Sequence, residues 1–277
     1  MTTASLHRAE AHRDPGRPHR RVTVGVHDRC GCPGAVAWAA AEAHRTAADL
    51  ALLECVPVHD PAWDDQPLAV QRAVLRRLLL HAPLGEAPIL ERAVGPVVEG
   101  LLTASRRSEL LVLGRGRDLS PVVLQVALRA PRPVAAVPTT WMPYDVPATA
   151  PVLLGLPGLQ PDGQGLAARA LSYALVAARR RGVGVHLVAG WEPFATGTGR
   201  DRALRVFRRR EQLVADAVRA VTQVYPEVPV RVSVPVGDLA AELVRLSAHA
   251  RAVVLPPVAP LVATCLPRTA GPLVVVP

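Results

Sequence analysis

The stretch AVGPVVEGLLTASRRSELLVLG at 93–114 recurs in the second half of the chain as PVGDLAAELVRLSAHARAVVLP at 235–256. The match aligns glycine with glycine and serine with serine: Gly95 with Gly237, and Ser105 with Ser247. Two shorter matches keep the same order along the chain: RVTVGV at 21–26 with PVLLGL at 151–156, and PVAAVP at 133–138 with PLVVVP at 272–277. Three matching segments in one order indicate a single structural unit that occurs twice.

Within each half, short apolar runs alternate with segments of helical periodicity. The predicted strands are 21–26, 51–56, 89–94, 110–113 and 134–137, then 151–156, 183–189, 230–236, 252–255 and 273–276. The predicted helices are 34–47, 68–81, 97–105 and 122–129, then 165–181, 202–224 and 239–250. Strands that are apolar throughout and alternate with helices are typical of a parallel sheet covered on both faces. This pattern predicts an α/β fold.

Two segments interrupt the pattern and set the predicted domain boundaries. Residues 1–20 are polar and basic without an apolar period, which predicts a disordered tail. Residues 139–150 are rich in proline and threonine and predict a linker. The two domains are therefore predicted at 21–138 and 151–277.

The composition argues against several classes of protein. The net charge of +9 suggests nucleic-acid binding, but aromatic residues are only 3% of the chain, so few side chains could stack on nucleic-acid bases. The apolar run 252–267 is interrupted by prolines at 256, 257 and 260, so it does not predict a membrane span. Four cysteines in 277 residues do not make a disulfide framework, and the chain lacks a secretory signal pattern. We expect a cytoplasmic protein that binds neither a membrane nor nucleic acid.

The motifs of both halves resemble the universal stress protein family. The resemblance rests on VGV at 24–26, WAAAEA at 38–43, LVLGRGR at 111–117, APRPV at 130–134 and VGDLAAELV at 236–244. It covers nearly the whole chain beyond the tail. It implies two tandem, doubly wound, five-stranded parallel-sheet domains of Rossmann-like type. It also implies an internal pseudo-dimer, for which we expect pairing through the last strands at 134–137 and 273–276, with a homodimer as a further possibility.

Many members of that family bind ATP, and this sequence departs from each part of their motif. The resemblance implies these binding residues in the first domain: Gly25, His27, Asp28, Gly114, Arg115, Gly116, Arg117 and Ser120. The acidic position after the first strand is His27, with Asp28 one place later, and the glycine loop after the fourth strand is short. In the second domain the same loop begins with Pro256 and Pro257, which lack amide donors for phosphate.

A second candidate site is the segment HDRCGC at 27–32, which follows the first strand. His27, Cys30 and Cys32 are weak candidates for metal ligands, because their spacing completes no known zinc or redox motif. We expect no catalytic residues and no metal, and either no cofactor or weak ATP binding in the first domain. The predicted function is a non-catalytic regulatory or binding protein in stress response with an unknown protein partner. The alternatives are a weakly hydrolysing ATP-binding stress protein that uses the first domain, and a thiol or metal sensor through Cys30 and Cys32.

Overall fold

A computed structural model describes residues 6–8, 20–26, 32–56, 88–157, 164–190, 219, 223–235 and 237–277, with the backbone alone at 6–8 and 164–165. The chain divides into two compact units, the first ending at Asp145 and the second beginning at Val146. The predicted helices over 68–81 and 202–224 lie outside the described residues, apart from Arg219, Gln223 and Val224 of the latter. In the part of the chain that the structure describes, no helix has the length and apolar character needed to cross a membrane.

The first unit is a mostly parallel sheet with helices between its strands. Its strands are β1 (Leu6–Arg8), β2 (Arg21–Val26), β3 (Asp49–Val56), β4 (Ile89–Val94), β5 (Leu110–Arg115) and β6 (Val134–Pro138). Its described helices are α1 (Pro33–Thr46), α2 (Val97–Arg106) and α3 (Pro121–Arg129). The strand order is β1-β4-β3-β2-β5-β6, and every pair except β1 with β4 is parallel. The central strands are almost wholly buried, as expected for a sheet covered on both faces.

The strand β1 departs from the predicted disordered tail at Leu6–Arg8, the part of residues 1–19 that the structure describes. Leu6–Arg8 pairs antiparallel with β4, with Leu6 opposite Ala93 and Arg8 opposite Glu91. The edge of a sheet presents a row of unpaired amide and carbonyl groups, and a short added strand satisfies some of them. The sequence of the tail lacks the apolar period of a strand because this contact is made through the backbone. The first unit therefore has five parallel strands and one antiparallel strand.

The second unit repeats the parallel sheet without an added strand among its described residues. Its strands are β7 (Val152–Leu156), β8 (Val185–Ala189), β9 (Val230–Ser233), β10 (Ala252–Leu255) and β11 (Leu273–Val275). Its described helices are α4 (Gln164–Arg181), α5 (Leu239–Ser247) and α6 (Ala259–Cys265). The order β11-β10-β7-β8-β9 is the order of β6-β5-β2-β3-β4, so both units share one topology. The strand predicted over 230–236 ends at Ser233, shortly before Pro235, which has no amide hydrogen for the ladder.

Residues aligned by the sequence repeat have the same structural role in both units. Gly95 and Gly237 precede α2 and α5 with φ of 131° and 122°, a conformation that favours glycine. Ser105 and Ser247 are both buried and donate to the carbonyl three residues earlier on their helices. The repeat in the sequence is therefore a repeat of structure.

The segment predicted as a linker is partly packed against the first unit. Trp141 is buried, and its backbone N–H donates to Pro138 O at 3.0 Å. Asp145 accepts from the Met142 amide at 2.7 Å, which forms a local turn. Val146, the first residue of the second unit, is also buried. The proline-rich composition therefore marks a change of direction of the chain and not a solvated spacer alone.

Candidate functional site

The crevice expected to hold a ligand lies at the carboxyl ends of β2 and β5. These adjacent strands lie where the strand order reverses, and ligands of open α/β sheets bind at such points. Gly114 and Arg115 end β5 at this edge. His27, Asp28 and Cys30 follow β2 in sequence and lie outside the described residues. The described part of this crevice therefore consists of the end of β5, the start of α1 and the segment that follows β6.

The side chain of Cys32 packs directly against Gly114. Cys32 immediately precedes α1 and has the left-handed conformation, with φ of 40°. A Cβ atom added to Gly114 would lie 2.5 Å from Cys32 Sγ and 2.7 Å from Cys32 Cβ. The buried cysteine thus occupies the space that the missing side chain of Gly114 leaves. A phosphate group could not approach the Gly114 backbone from this side while Cys32 stays in place.

The first amide groups of α1 are largely engaged by the chain itself. Pro33 has no amide hydrogen, and the Gly34 N–H donates to Thr139 O at 3.1 Å. Thr139 N–H in turn donates to Arg115 O at 3.0 Å. A Cβ atom on Gly34 would lie 2.7 Å from Trp141 O, so the segment after β6 closes tightly over the start of the helix.

Sequence reasoning missed the contribution of this closing segment. Gly34 and Trp141 were available as signals, since a glycine directly after a proline and a tryptophan in a proline-rich segment both suggest a close contact. The Trp141 indole N–H is buried and has no hydrogen-bond partner. This orphaned donor is costly in a folded protein.

Arg115 and its neighbours after β5 have different environments. The Arg115 side chain is only 4% exposed, and this burial lowers the pKa of its guanidinium to about 10, so it stays charged at neutral pH. Gly116 and Arg117 are exposed, and an added Cβ at Gly116 would meet only Asp118 N, at 4.0 Å. Ser120 caps α3 by accepting from the Val123 amide at 3.4 Å. The structure places Cys32 against Gly114, while the Ser120 side chain caps α3.

Gly25 has a packing role in the structure, and the ligand-binding role implied for it stays a prediction. A Cβ atom there would lie 2.9 Å from Leu113 Cδ2 and 3.2 Å from Leu101 Cδ2. Gly155, its counterpart in the second unit, is crowded in the same way by Leu243 and Leu255. Both glycines therefore allow a helix to approach the first parallel strand of its unit closely.

The equivalent crevice of the second unit offers few amide donors. Pro256 and Pro257 follow β10 and have no N–H. The Val258 N–H donates to Pro256 O at 2.8 Å. The helix α6 then begins at Ala259 and has Pro260 in its first turn. Three of the first five residues after β10 are thus prolines, and a fourth uses its donor locally.

Two of the described cysteines, Cys55 and Cys265, have environments that disfavour the thiolate. Burial is the main cause that raises the pKa of Cys55 to about 12 and the pKa of Cys265 to about 12. Cys32 is buried against Gly114. Among the described residues, no group of three or more histidine, cysteine or acidic side chains is placed to hold a metal. His27 and Cys30 lie outside the described residues.

No known family profile and no curated protein matches the chain. A solved structure of a functionally unknown protein from Pseudomonas aeruginosa PAO1 matches with a TM-score of 0.61 and 15% identity, over 94% of this chain and 92% of that one. A universal stress protein from Archaeoglobus fulgidus DSM 4304 matches with a TM-score of 0.58 and 13% identity, over 92% and 95% of the two chains. The cytoplasmic domain of a prokaryotic cation chloride cotransporter matches with a TM-score of 0.51 and 10% identity, over 93% and 95%.

These likenesses define the fold class. The chain has the Rossmann-like α/β fold of the universal stress proteins, present twice in tandem. At such low identity the likeness shows the fold alone and does not show what the protein does.

Proposed function

We propose that this protein is a regulatory or binding protein of the universal stress type, which acts in stress response without catalysis and binds ATP weakly or not at all. The observation that carries the proposal is the packing of Cys32 on Gly114, at the point where a phosphate group would approach β5. The engaged Gly34 and Thr139 amides support it, because a phosphate site needs several free amide donors at once.

The size of the effect follows from the number of missing donors. Each unmade hydrogen bond to a charged group forfeits about 1.5–3 kcal/mol. A thousandfold loss of affinity corresponds to about 4 kcal/mol. Two or three missing donors therefore move a micromolar nucleotide site to the millimolar range or beyond.

Any residual affinity for ATP belongs to the first unit. The charged Arg115 and the exposed Arg117 follow Gly114 there, and both could attract phosphate. In the second unit the next arginine after β10 is Arg268, beyond the end of α6. This difference also favours the first unit as the site of the second candidate function, weak ATP binding with slow hydrolysis.

The proposal is tested on freshly purified full-length protein. The denatured protein is analysed for released nucleotide by ion-exchange chromatography, and the folded protein is assayed for phosphate release from ATP. We expect less than one tenth of an equivalent of nucleotide and no hydrolysis above buffer. Stoichiometric nucleotide, or hydrolysis that Arg117→Gln abolishes and the exposed control Arg180→Gln leaves intact, would support the second candidate function instead.

Three further expectations from the sequence stay predictions. They are the pairing of the two units through their last strands, a homodimer, and a cytoplasmic location. The thiol or metal sensor also stays a prediction, since Cys30 lies outside the described residues. The raised pKa values of Cys55 and Cys265 restrict a thiol sensor to the segment 27–32.

A further inference from the structure

We propose that the outer edge of β9 binds an extended, acidic segment of a partner protein, which adds to the sheet of the second unit as an antiparallel strand. This mode of binding obtains affinity from backbone hydrogen bonds and selectivity from the side chains beside the edge. It concerns a surface away from the crevices and does not depend on the ability of the protein to bind ATP.

The backbone N–H and C=O groups of two valines in β9 point away from β8. β9 is the last strand of its sheet and pairs with β8 in register, with Val185 opposite Val230 and His186 opposite Arg231. Val185 N–H donates to Pro229 O at 2.8 Å, so residues 229 and 231 direct their backbone groups toward β8. Val230 and Val232 alternate with them and direct theirs outward. Among the described residues no strand pairs with this outer side, and the Val232 side chain is 38% exposed.

The first unit supplies the precedent for an added strand at this edge. The alignment of Gly95 with Gly237 places Leu90 over Val232, so β4 and β9 are equivalent strands. The outer edge of β4 carries β1 in antiparallel pairing. This edge therefore accepts an extended segment in the first unit, and in the second unit no described strand pairs with it. Pro229 does not block addition, because it occupies a position that faces β8.

The charged side chain beside β9 favours an acidic partner segment. On β4, the buried Glu91 is ion-paired with Arg21 at 2.6 Å. The position equivalent to Glu91 on β9 is Ser233, and the exposed Arg231 lies two residues earlier without an ion pair to any described residue. The segment around β1 is itself basic, with His7 and Arg8, so a second copy of it would bring positive charge against Arg231. A segment with carboxylates fits this edge, and the net charge of +9 attracts it from solution.

The test uses a labelled peptide of alternating valine and glutamate, with the valine–lysine peptide as its matched control. Fluorescence anisotropy at low ionic strength should show saturable binding of the glutamate peptide and none of the lysine peptide. Val232→Pro removes one outward amide and should abolish binding, whereas Val232→Thr keeps that amide and should bind as the wild type does. Arg231→Glu should weaken binding about threefold or more.

Methylation of alternate backbone nitrogens of the glutamate peptide gives a second test that leaves the protein unchanged. The methylated peptide should lose binding if strand addition carries it. Equal binding of the two charge forms, full binding by Val232→Pro, or no saturable binding of the glutamate peptide below about 1 mM would overturn the proposal. Tighter binding of a peptide with the sequence of residues 3–12 would overturn it in favour of a second copy of this chain.

Discussion

Replacing Gly114 with alanine tests whether Cys32 fills the crevice of the first unit. The new Cβ would lie 2.5 Å from Cys32 Sγ and 2.7 Å from Cys32 Cβ. Real Cβ atoms do not approach other heavy atoms so closely, so one of the two residues has to move. Cys32 cannot yield easily, because its Cβ is fixed to the backbone at the start of α1. The substitution is therefore expected to destabilise the first unit.

The expected loss follows from two opposing contributions. Forcing an extra methyl group into a packed site costs about 1–3 kcal/mol. Replacing glycine where the backbone tolerates alanine returns about 0.4–1 kcal/mol through the unfolded chain. Gly114 does not have positive φ, so this second contribution applies. The net destabilisation is about 1–2 kcal/mol, which lowers Tm by roughly 3–7 °C for a unit of this size.

The assay is thermal and urea unfolding followed by circular dichroism, with Gly116→Ala as the matched control. Gly116 lies two residues away and has only Asp118 N within 4.0 Å of an added Cβ, so its substitution should cost nothing measurable. Cys32→Gly removes both clashing atoms and should restore most of the stability of Gly114→Ala. A Gly114→Ala protein as stable as Gly116→Ala, or one that Cys32→Gly fails to rescue, would refute the reasoning.

Three predictions concern the second unit and are measured by the same unfolding assays. Gly155→Ala would place a Cβ 2.5 Å from the fully buried Leu243 Cδ1, and we expect a loss of about 1–3 kcal/mol; an unchanged unfolding midpoint would contradict the packing. Ser247→Ala removes the acceptor of the Ala270 N–H at 2.9 Å, and we expect a loss of about 1 kcal/mol, whereas Ser247→Thr should lose less if the hydroxyl is what matters. Burial and a nearby arginine hold the pKa of His186 below its usual 6.5, so the unfolded chain binds the proton more readily and stability falls as pH drops through about 6.5; His186→Gln should show a smaller fall, and an equal fall would contradict this.

The parallel sheets could be predicted from the sequence because their strands are apolar throughout. Leu111, Val112 and Val134 are fully buried, and such runs cannot face water on either side. The sequence repeat also predicted which residues of the two halves are equivalent. Gly25 and Gly155, for example, occupy equally crowded positions. The five parallel strands of each unit, which the resemblance to the stress-protein family implied, are confirmed in both units.

Features that depend on backbone contacts could not be predicted. β1 pairs through main-chain groups, so no apolar period marks Leu6–Arg8. The closure over α1 depends on the Gly34 amide and on the path of residues 138–141, neither of which a local pattern records. The position of Cys32 against Gly114 arises from the left-handed backbone at residue 32, a conformation that local propensity disfavours for cysteine.

The central claim is that Cys32 fills the crevice of the first unit and that the described residues after β10 offer few amide donors to phosphate. Calorimetric titration of ATP with Mg²⁺ into the full-length protein tests this claim most directly. We predict no saturable heat with Kd below about 1 mM for the wild type, and a stronger signal for Cys32→Gly, which empties the space beside Gly114. Micromolar binding of ATP by the wild-type protein would contradict the account.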